Sequence, residues 1–352
     1  MASQVVRVLA GVLCVLGCGA RVFAAGTDCD RACLRNALDR YLDAVIKHDP
    51  SGAPLFVGFR QTENAVVVRL GTGVWQTVTA LGKVQRRYLD PVSGQAGYFG
   101  IVEENGNPAV ATLRLRVEEK KVTEAEWIIA RKDAFGPNGP GGALVNPESL
   151  IANPPPERTL PKDARAPRAA LQAIANSYFD GLSTHDGSII LHESGCTRIE
   201  NGTVMTGRGR GAGAGRGAAP DGRGAQPAPG AAPANGGGGD CSSNLEQLNV
   251  SLVAARRYPV IDEEAGVALG MVVFVRKPGT TTRRNMLSEW FFIDNNRIRT
   301  IYAAMYYPPP EAPVPNWPPY DGNWPLPATF VSGDAQPASR GGAAPVAPVP
   351  NR

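Results

Sequence analysis

The chain repeats itself. Tyr41-Leu42-Asp43 returns as Tyr178-Phe179-Asp180, His48-Asp49 as His185-Asp186 and Glu63-Asn64 as Glu200-Asn201, each 137 positions later. Three matches at one spacing, with no slip between them, point to duplication of a whole unit. Further on, Asp90 and Gly94 return as Asp262 and Gly266 at a spacing of 172. The 35 residues gained between the two spacings are accounted for by a Gly-rich insert in the second copy. Two copies are too few for a solenoid, which needs at least three units to bury a continuous core. A length of 352 residues suits two tandem domains with connecting segments.

Within each copy the local patterns run in the same order. Leu34, Leu38, Tyr41, Leu42 and Val45 fall at helical spacing, as do Leu171, Ile174, Ala175, Tyr178, Phe179 and Leu182, so each copy opens with a one-faced helix. A short strand pair is expected around Glu63-Asn64, then a brief helix over 75–81. Long strands follow at 84–90, 97–104, 109–117 and 122–130, rich in β-branched and aromatic residues and separated by turn sequences such as Asp90-Pro91-Val92-Ser93-Gly94. The second copy repeats them at 253–261, 267–275, 287–293 and 298–306. A long helix, short helices and a curved antiparallel sheet make an α+β unit, used here in tandem.

These elements, with Cys33, Tyr41, Ala44, His48-Asp49, Thr62-Glu63-Asn64 and Gly71-Thr72-Gly73-Val74-Trp75 in order, resemble the nuclear transport factor 2-like superfamily of SnoaL-type proteins and ketosteroid isomerase. The likeness is strongest to an uncharacterised bacterial and fungal group, whose second half Arg257-Tyr258-Pro259-Val260-Ile261-Asp262-Glu263-Glu264 also resembles. The resemblance implies a cone-shaped domain at 25–133 and another at 166–307. It also implies a cavity between helix and sheet in each.

The segments outside the cones are also readable. Residues 1–24 read as an export signal, with an apolar run over 8–16 and small residues before a cut after Ala24. That run is too short to span a bilayer, which takes about 20 residues. Val15-Leu16-Gly17-Cys18 is a weaker lipoprotein alternative, with Cys18 as the lipid site. A secreted or periplasmic location follows, with no transmembrane segment. Gly and Pro, 41 and 31 residues, concentrate in a linker at 134–165, an insert at 207–240 and a tail at 308–352. A net charge of +4 is too small and dispersed to argue for nucleic acid.

Cys29, Cys33, Cys196 and Cys241 remain after signal removal and allow three disulfide connectivities. Pairing within each region is preferred, because an oxidising compartment favours it and the regions otherwise look independent. No metal-ligand spacing, phosphate loop or dinucleotide fingerprint is present, so neither metal nor cofactor is expected.

Candidate site residues are those that could face a cone. Asp90 and Asp262 end equivalent strands after Tyr88 and Tyr258, and a carboxylate in an apolar cone would act as a general base. The competing reading of both is plain turn chemistry. Glu63 and Glu200 recur on the hairpin, while Trp127 and Tyr302 lie on late strands where alternation leaves the inward face undecided. His48-Asp49 and His185-Asp186 read as capping residues rather than dyads. Three functions stay open: binding of a small apolar or aromatic molecule, cofactor-free acid–base catalysis (isomerase, cyclase, lyase or hydratase), and a ligand-free structural module. Filling of both cones by Trp75, Trp127 and Trp290 would leave only the last.

Overall fold

The computed structural model describes residues 28–137, 139, 144–206, 239–243, 245, 248–280, 284–309 and 312. The expected signal with Cys18, almost all of the insert and nearly all of the tail lie outside them. No helix among the described residues is long and apolar enough to cross a membrane.

The first domain opens with α1 (Arg31–Ile46), capped by Asp30, whose carboxylate accepts from the Cys33 amide at 2.8 Å. Its face of Leu34, Leu38, Tyr41, Leu42 and Val45 is buried. The chain leaves the helix through His48 at φ 55°, and Asp49 caps the next short turn by accepting from the Ser51 amide. Then come β1 (Leu55–Glu63), β2 (Val66–Val68), α2 (Val74–Thr77) and the meander β3 (Val78–Asp90), β4 (Gln95–Glu104), β5 (Asn107–Glu118) and β6 (Lys121–Ala130).

The second domain repeats this as α4 (Arg168–Thr184), β7 (His192–Glu200), β8 (Thr203–Val204), β9 (Val250–Asp262), β10 (Val267–Arg276), β11 (Asn285–Asp294) and β12 (Arg297–Tyr306). Each sheet has six strands, ordered β2-β1-β6-β5-β4-β3 and β8-β7-β12-β11-β10-β9. Two cone-shaped α+β domains therefore stand in tandem, each with a helix lying on a bent sheet.

Two details differ from expectation. The sheets are mixed, because β1 runs parallel to β6 and β7 parallel to β12. In each domain the chain crosses from its hairpin to the far sheet edge before meandering back, so the first strand meets the last in the same direction. The short helix ends at Thr77 and β3 begins at once, its pairing slipping between Leu81 and Gln85. That slip interrupts the alternation on which a strand is recognised.

The domains pack sheet against sheet, with the helices outermost. A buried layer of Val84, Tyr88, Phe99, Ile128, Leu269, Trp290, Phe292 and Tyr302 joins the two sheets. The pairing registers make Thr112 and Ser288 counterparts, and their hydroxyls meet at 2.8 Å, which marks a local two-fold axis. Around that axis contacts come in reciprocal pairs. Asp262 receives Arg31 at 2.9 Å and the Leu89 amide at 2.8 Å, while Asp90 receives Arg168 at 2.6 Å and the Ile261 amide at 2.9 Å.

The rest of the interface is asymmetric. Arg257 pairs with buried Glu126 at 2.8 Å; burial opposes ionisation there, but Arg257 and Arg114 together hold the carboxyl below its ordinary pKa. Trp290 donates to Thr112 at 3.0 Å and lies so close to Gly97 that a β-carbon there would stand 2.3 Å from the indole.

The connecting segment is docked rather than a free spacer. It contains α3 (Pro147–Ala152), whose Leu150 is wholly buried against the interface layer. Arg158 then reaches Asp294 at 2.5 Å and the Ala265 carbonyl at 2.7 Å. Arginine and leucine anchors spaced along a Pro-rich strand account for the docking, because proline removes few of the hydrogen bonds this segment makes through side chains.

Candidate functional site

In the first domain the space between α1 and the sheet is full. Tyr41, Trp75 and Trp127 are buried there, with Tyr41 and Trp75 both donating to the Gln61 carbonyl at 2.9 and 2.6 Å. The Trp127 indole in turn donates to the Tyr41 hydroxyl at 3.3 Å. Large aromatic rings close-packed on one amide leave this cone solid.

Strand pairing aligns the second cone with the first, position by position. In the first domain Glu63, Trp127, Leu113 and Tyr98 form a row across β1, β6, β5 and β4. In the second, the row reads Glu200, Ala303, Glu289 and Gly270 across β7, β12, β11 and β10. Thus alanine replaces tryptophan, glycine replaces tyrosine and glutamate replaces leucine beneath the helix.

Phe179 and Phe291 are buried in the same space, and the Phe179 ring lies where a Gly270 side chain would be. Tyr178 keeps the place of Tyr41, whereas Gln61 becomes Arg198. Trp75 becomes Leu245: His48 Nδ1 bonds the Trp75 carbonyl at 2.6 Å, and His185 Nδ1 bonds the Leu245 carbonyl at 2.8 Å. Leu245, the structural counterpart of Trp75, comes from beyond the Gly-rich insert.

A polar cluster results. Arg198 is 15% exposed, donates to the Tyr178 hydroxyl at 3.0 Å and places Nε 2.9 Å from Glu200. Glu289 is 1% exposed, and its Oε2 has no hydrogen-bond partner. Burial, and then the negative field of Glu200, push the Glu289 carboxyl well above the usual carboxylate range, against the pull of Arg198. A neutral carboxyl in an apolar wall is a hydrogen-bond donor aimed at whatever lies beside it. Burial likewise pushes the Tyr178 hydroxyl up, so it too remains protonated.

The sequence candidates are distributed otherwise. Asp90 and Asp262 lie at the seam between the domains; arginine and backbone donors engage both oxygens of each. A general base needs a free lone pair facing substrate, so this geometry replaces that expectation with a turn and an interdomain bridge. Tyr88 and Tyr302 face the other domain, Tyr302 donating to the Pro154 carbonyl at 3.0 Å, rather than a cavity. Tyr258 packs on Phe179 beside α4 and donates to Asn176 at 2.7 Å. Glu63 is engaged by the Val74 amide at 3.0 Å and Arg131 at 2.8 Å, and Trp127 is part of the filled cone. Of the candidates only Glu200 joins the polar cluster.

Trp290, whose filling of the second cone would have favoured a ligand-free module, belongs to the interface. Arg198 carries no signal in the sequence, and Glu289 shows there only as the acidic neighbour of Trp290 on an expected strand. The disulfides are Cys29–Cys33 and Cys196–Cys241, the local pairing, which fits an oxidising environment.

Residues 164–305 match the family model described as a domain of unknown function (DUF8021). Among solved structures the chain is similar to a protein from Sphaerobacter thermophilus, at 15% identity and TM-score 0.24, covering 28% of this chain and 95% of that one. It is similar to a protein of unknown function with cystatin-like fold from Methylobium petroleophilum PM1, at 12% identity and TM-score 0.25, covering 43% and 84%. It is also similar to an NTF-2 like protein of unknown function from Burkholderia xenovorans LB400, at 10% identity and TM-score 0.24, covering 41% and 88%. No curated protein matches the chain. By its own topology the chain is a tandem of two cone-shaped α+β domains, each a helix on a six-stranded mixed sheet.

Proposed function

We propose that this is an exported binding protein whose second cone takes a small apolar or aromatic molecule, while the first cone serves as its solid counterpart. One observation carries the reading: the Glu289 oxygen without a donor, in a cone where Ala303 stands in place of Trp127. Buried polar groups are nearly always satisfied, so an orphan carboxyl oxygen in a native fold needs a physical reason, and a partner from outside the chain supplies one. Apolar walls with a few convergent polar groups are the usual make-up of a small-molecule site. The disulfides and the expected signal support export.

Acid–base catalysis is the second reading, favoured by the same residue. A carboxyl kept protonated in an apolar pocket is suited to giving a proton to substrate. Both readings share one test. The full-length protein is purified, denatured and its released small molecules weighed by mass spectrometry, beside an Ala303→Trp variant that refills the cone. A compound released by the wild type and absent from the variant is the expected result. The same compound from both proteins would overturn the assignment of the site. If Ala303→Trp fails to fold, Glu289→Leu takes its place in the comparison.

A further inference from the structure

We infer that the second cone selects by charge: it admits electroneutral molecules that present a hydrogen-bond acceptor and turns away carboxylates and ammonium ions. The inference deepens the binding reading and rests on it. It follows from how the cluster is already balanced. The cationic group beside Glu289, Arg198, lies 2.9 Å from Glu200 and donates to the Tyr178 hydroxyl at 3.0 Å. That pair is neutral as a unit although Nε makes no aligned hydrogen bond, and separating either partner leaves an uncompensated charge under the helix.

A carboxylate entering beside Glu289 would therefore bring a negative charge next to Glu200 and find Arg198 already engaged. Its desolvation would go unrepaid, which is costly in an apolar enclosure. An ammonium ion would meet the guanidinium, could engage Glu200 only by breaking its pair with Arg198, and would otherwise have to ionise Glu289 among Leu287, Phe291 and Ala303. A neutral acceptor needs neither change. It takes the hydroxyl of Glu289, satisfies the orphan position and leaves the Arg198–Glu200 pair intact.

The first domain supplies an internal contrast. Leu113 stands where Glu289 does, and Gln61 where Arg198 does, so that cone has neither the carboxyl nor the arginine of the cluster. The Gln61 carbonyl accepts from Tyr41 and Trp75, and its amide nitrogen, which has no hydrogen-bond partner, is buried among close-packed rings. Charge selection is thus a property of the second copy alone.

The test uses three benzene derivatives of similar size with the full-length protein at neutral pH: acetophenone (a neutral ketone), benzoate and benzylamine. Ligand-observed saturation-transfer NMR and calorimetric titration read their binding. Acetophenone is expected to bind at least about tenfold tighter than either ion, the value of one well-formed hydrogen bond. Glu289→Leu should weaken acetophenone by a similar factor, and Glu289→Gln, which keeps a neutral donor, should restore most of it.

Benzoate or benzylamine binding as tightly as acetophenone overturns charge selection and leaves cone binding standing. Acetophenone binding that Glu289→Leu does not weaken overturns the role of the carboxyl. Binding of none of the three removes the cone-binding reading and the inference with it.

Discussion

Gly97 and Trp290 offer the sharpest test of the interface. A methyl group added at Gly97 would stand 2.3 Å from Cη2 and 3.1 Å from Cζ2 of the Trp290 ring. The ring has nowhere to retreat, since it is fully buried, bonded to Thr112 at 3.0 Å and stacked 4.6 Å from the Tyr88 ring centre. Gly97 sits in an ordinary strand, so alanine suits its backbone and by itself would stabilise the fold by about 0.4–1 kcal/mol. Overpacking a well-filled layer costs about 1–3 kcal/mol. Gly97→Ala is therefore expected to destabilise the protein by about 1–2 kcal/mol net.

In a Trp290→Leu background, itself costly through the lost ring, the same alanine should be neutral or mildly stabilising. The coupling between the two sites should then exceed about 1 kcal/mol, as for residues in direct contact. Urea unfolding followed by circular dichroism measures all four proteins. A Gly97→Ala protein as stable as the wild type, or a penalty that persists after Trp290 is removed, would refute the close approach of the two sheets.

Two further outcomes are expected. The Glu289 carboxyl has its pKa raised in the folded state, so folding takes up a proton, and stability declines as pH climbs from the ordinary glutamate value of about 4.5 toward the folded one. Glu289→Leu removes that decline, so its gain in Tm over the wild type should be larger at pH 7 than at pH 4; equal gains would show the carboxyl to be well solvated. Cys196→Ser opens a loop with a sequence separation of 45, and should cost about 4 kcal/mol by chain entropy. Cys29→Ser opens one with a separation of 4 and should cost about half as much; urea midpoints that reverse this order would contradict the loop-length account.

Much of the architecture was legible because it depends on near neighbours along the chain. The faces of α1 and α4, the caps at Asp49 and Asp186 and the local disulfides all follow from spacing within a few residues or within one excursion. The duplication was legible because three motifs kept one spacing. The site was not, because which face of a strand looks into a cone depends on what the other face meets. On β6 the face with Trp127 turns to the helix and that with Glu126 to the other domain, while on β11 Glu289 turns to the helix and Trp290 to the other domain.

Both faces of these strands are buried, so alternation of polar and apolar residues, the usual guide, is erased. Asp90 shows the same limit from another side. Its turn was correctly legible, but the arginine that claims it, Arg168, is 78 residues away and opens a different domain.

Fusion of the halves has a consequence for how such a pair can evolve. Separate identical subunits write every substitution on both sides of their axis, so a tryptophan at position 290 would demand space that the counterpart of Gly97 in the same copy, Leu269, does not provide. Joined end to end, each half is free to specialise. One could be filled with indole until it became ballast, while its twin kept a carboxyl in the dark, giving a molecule whose two like scaffolds carry unlike interiors.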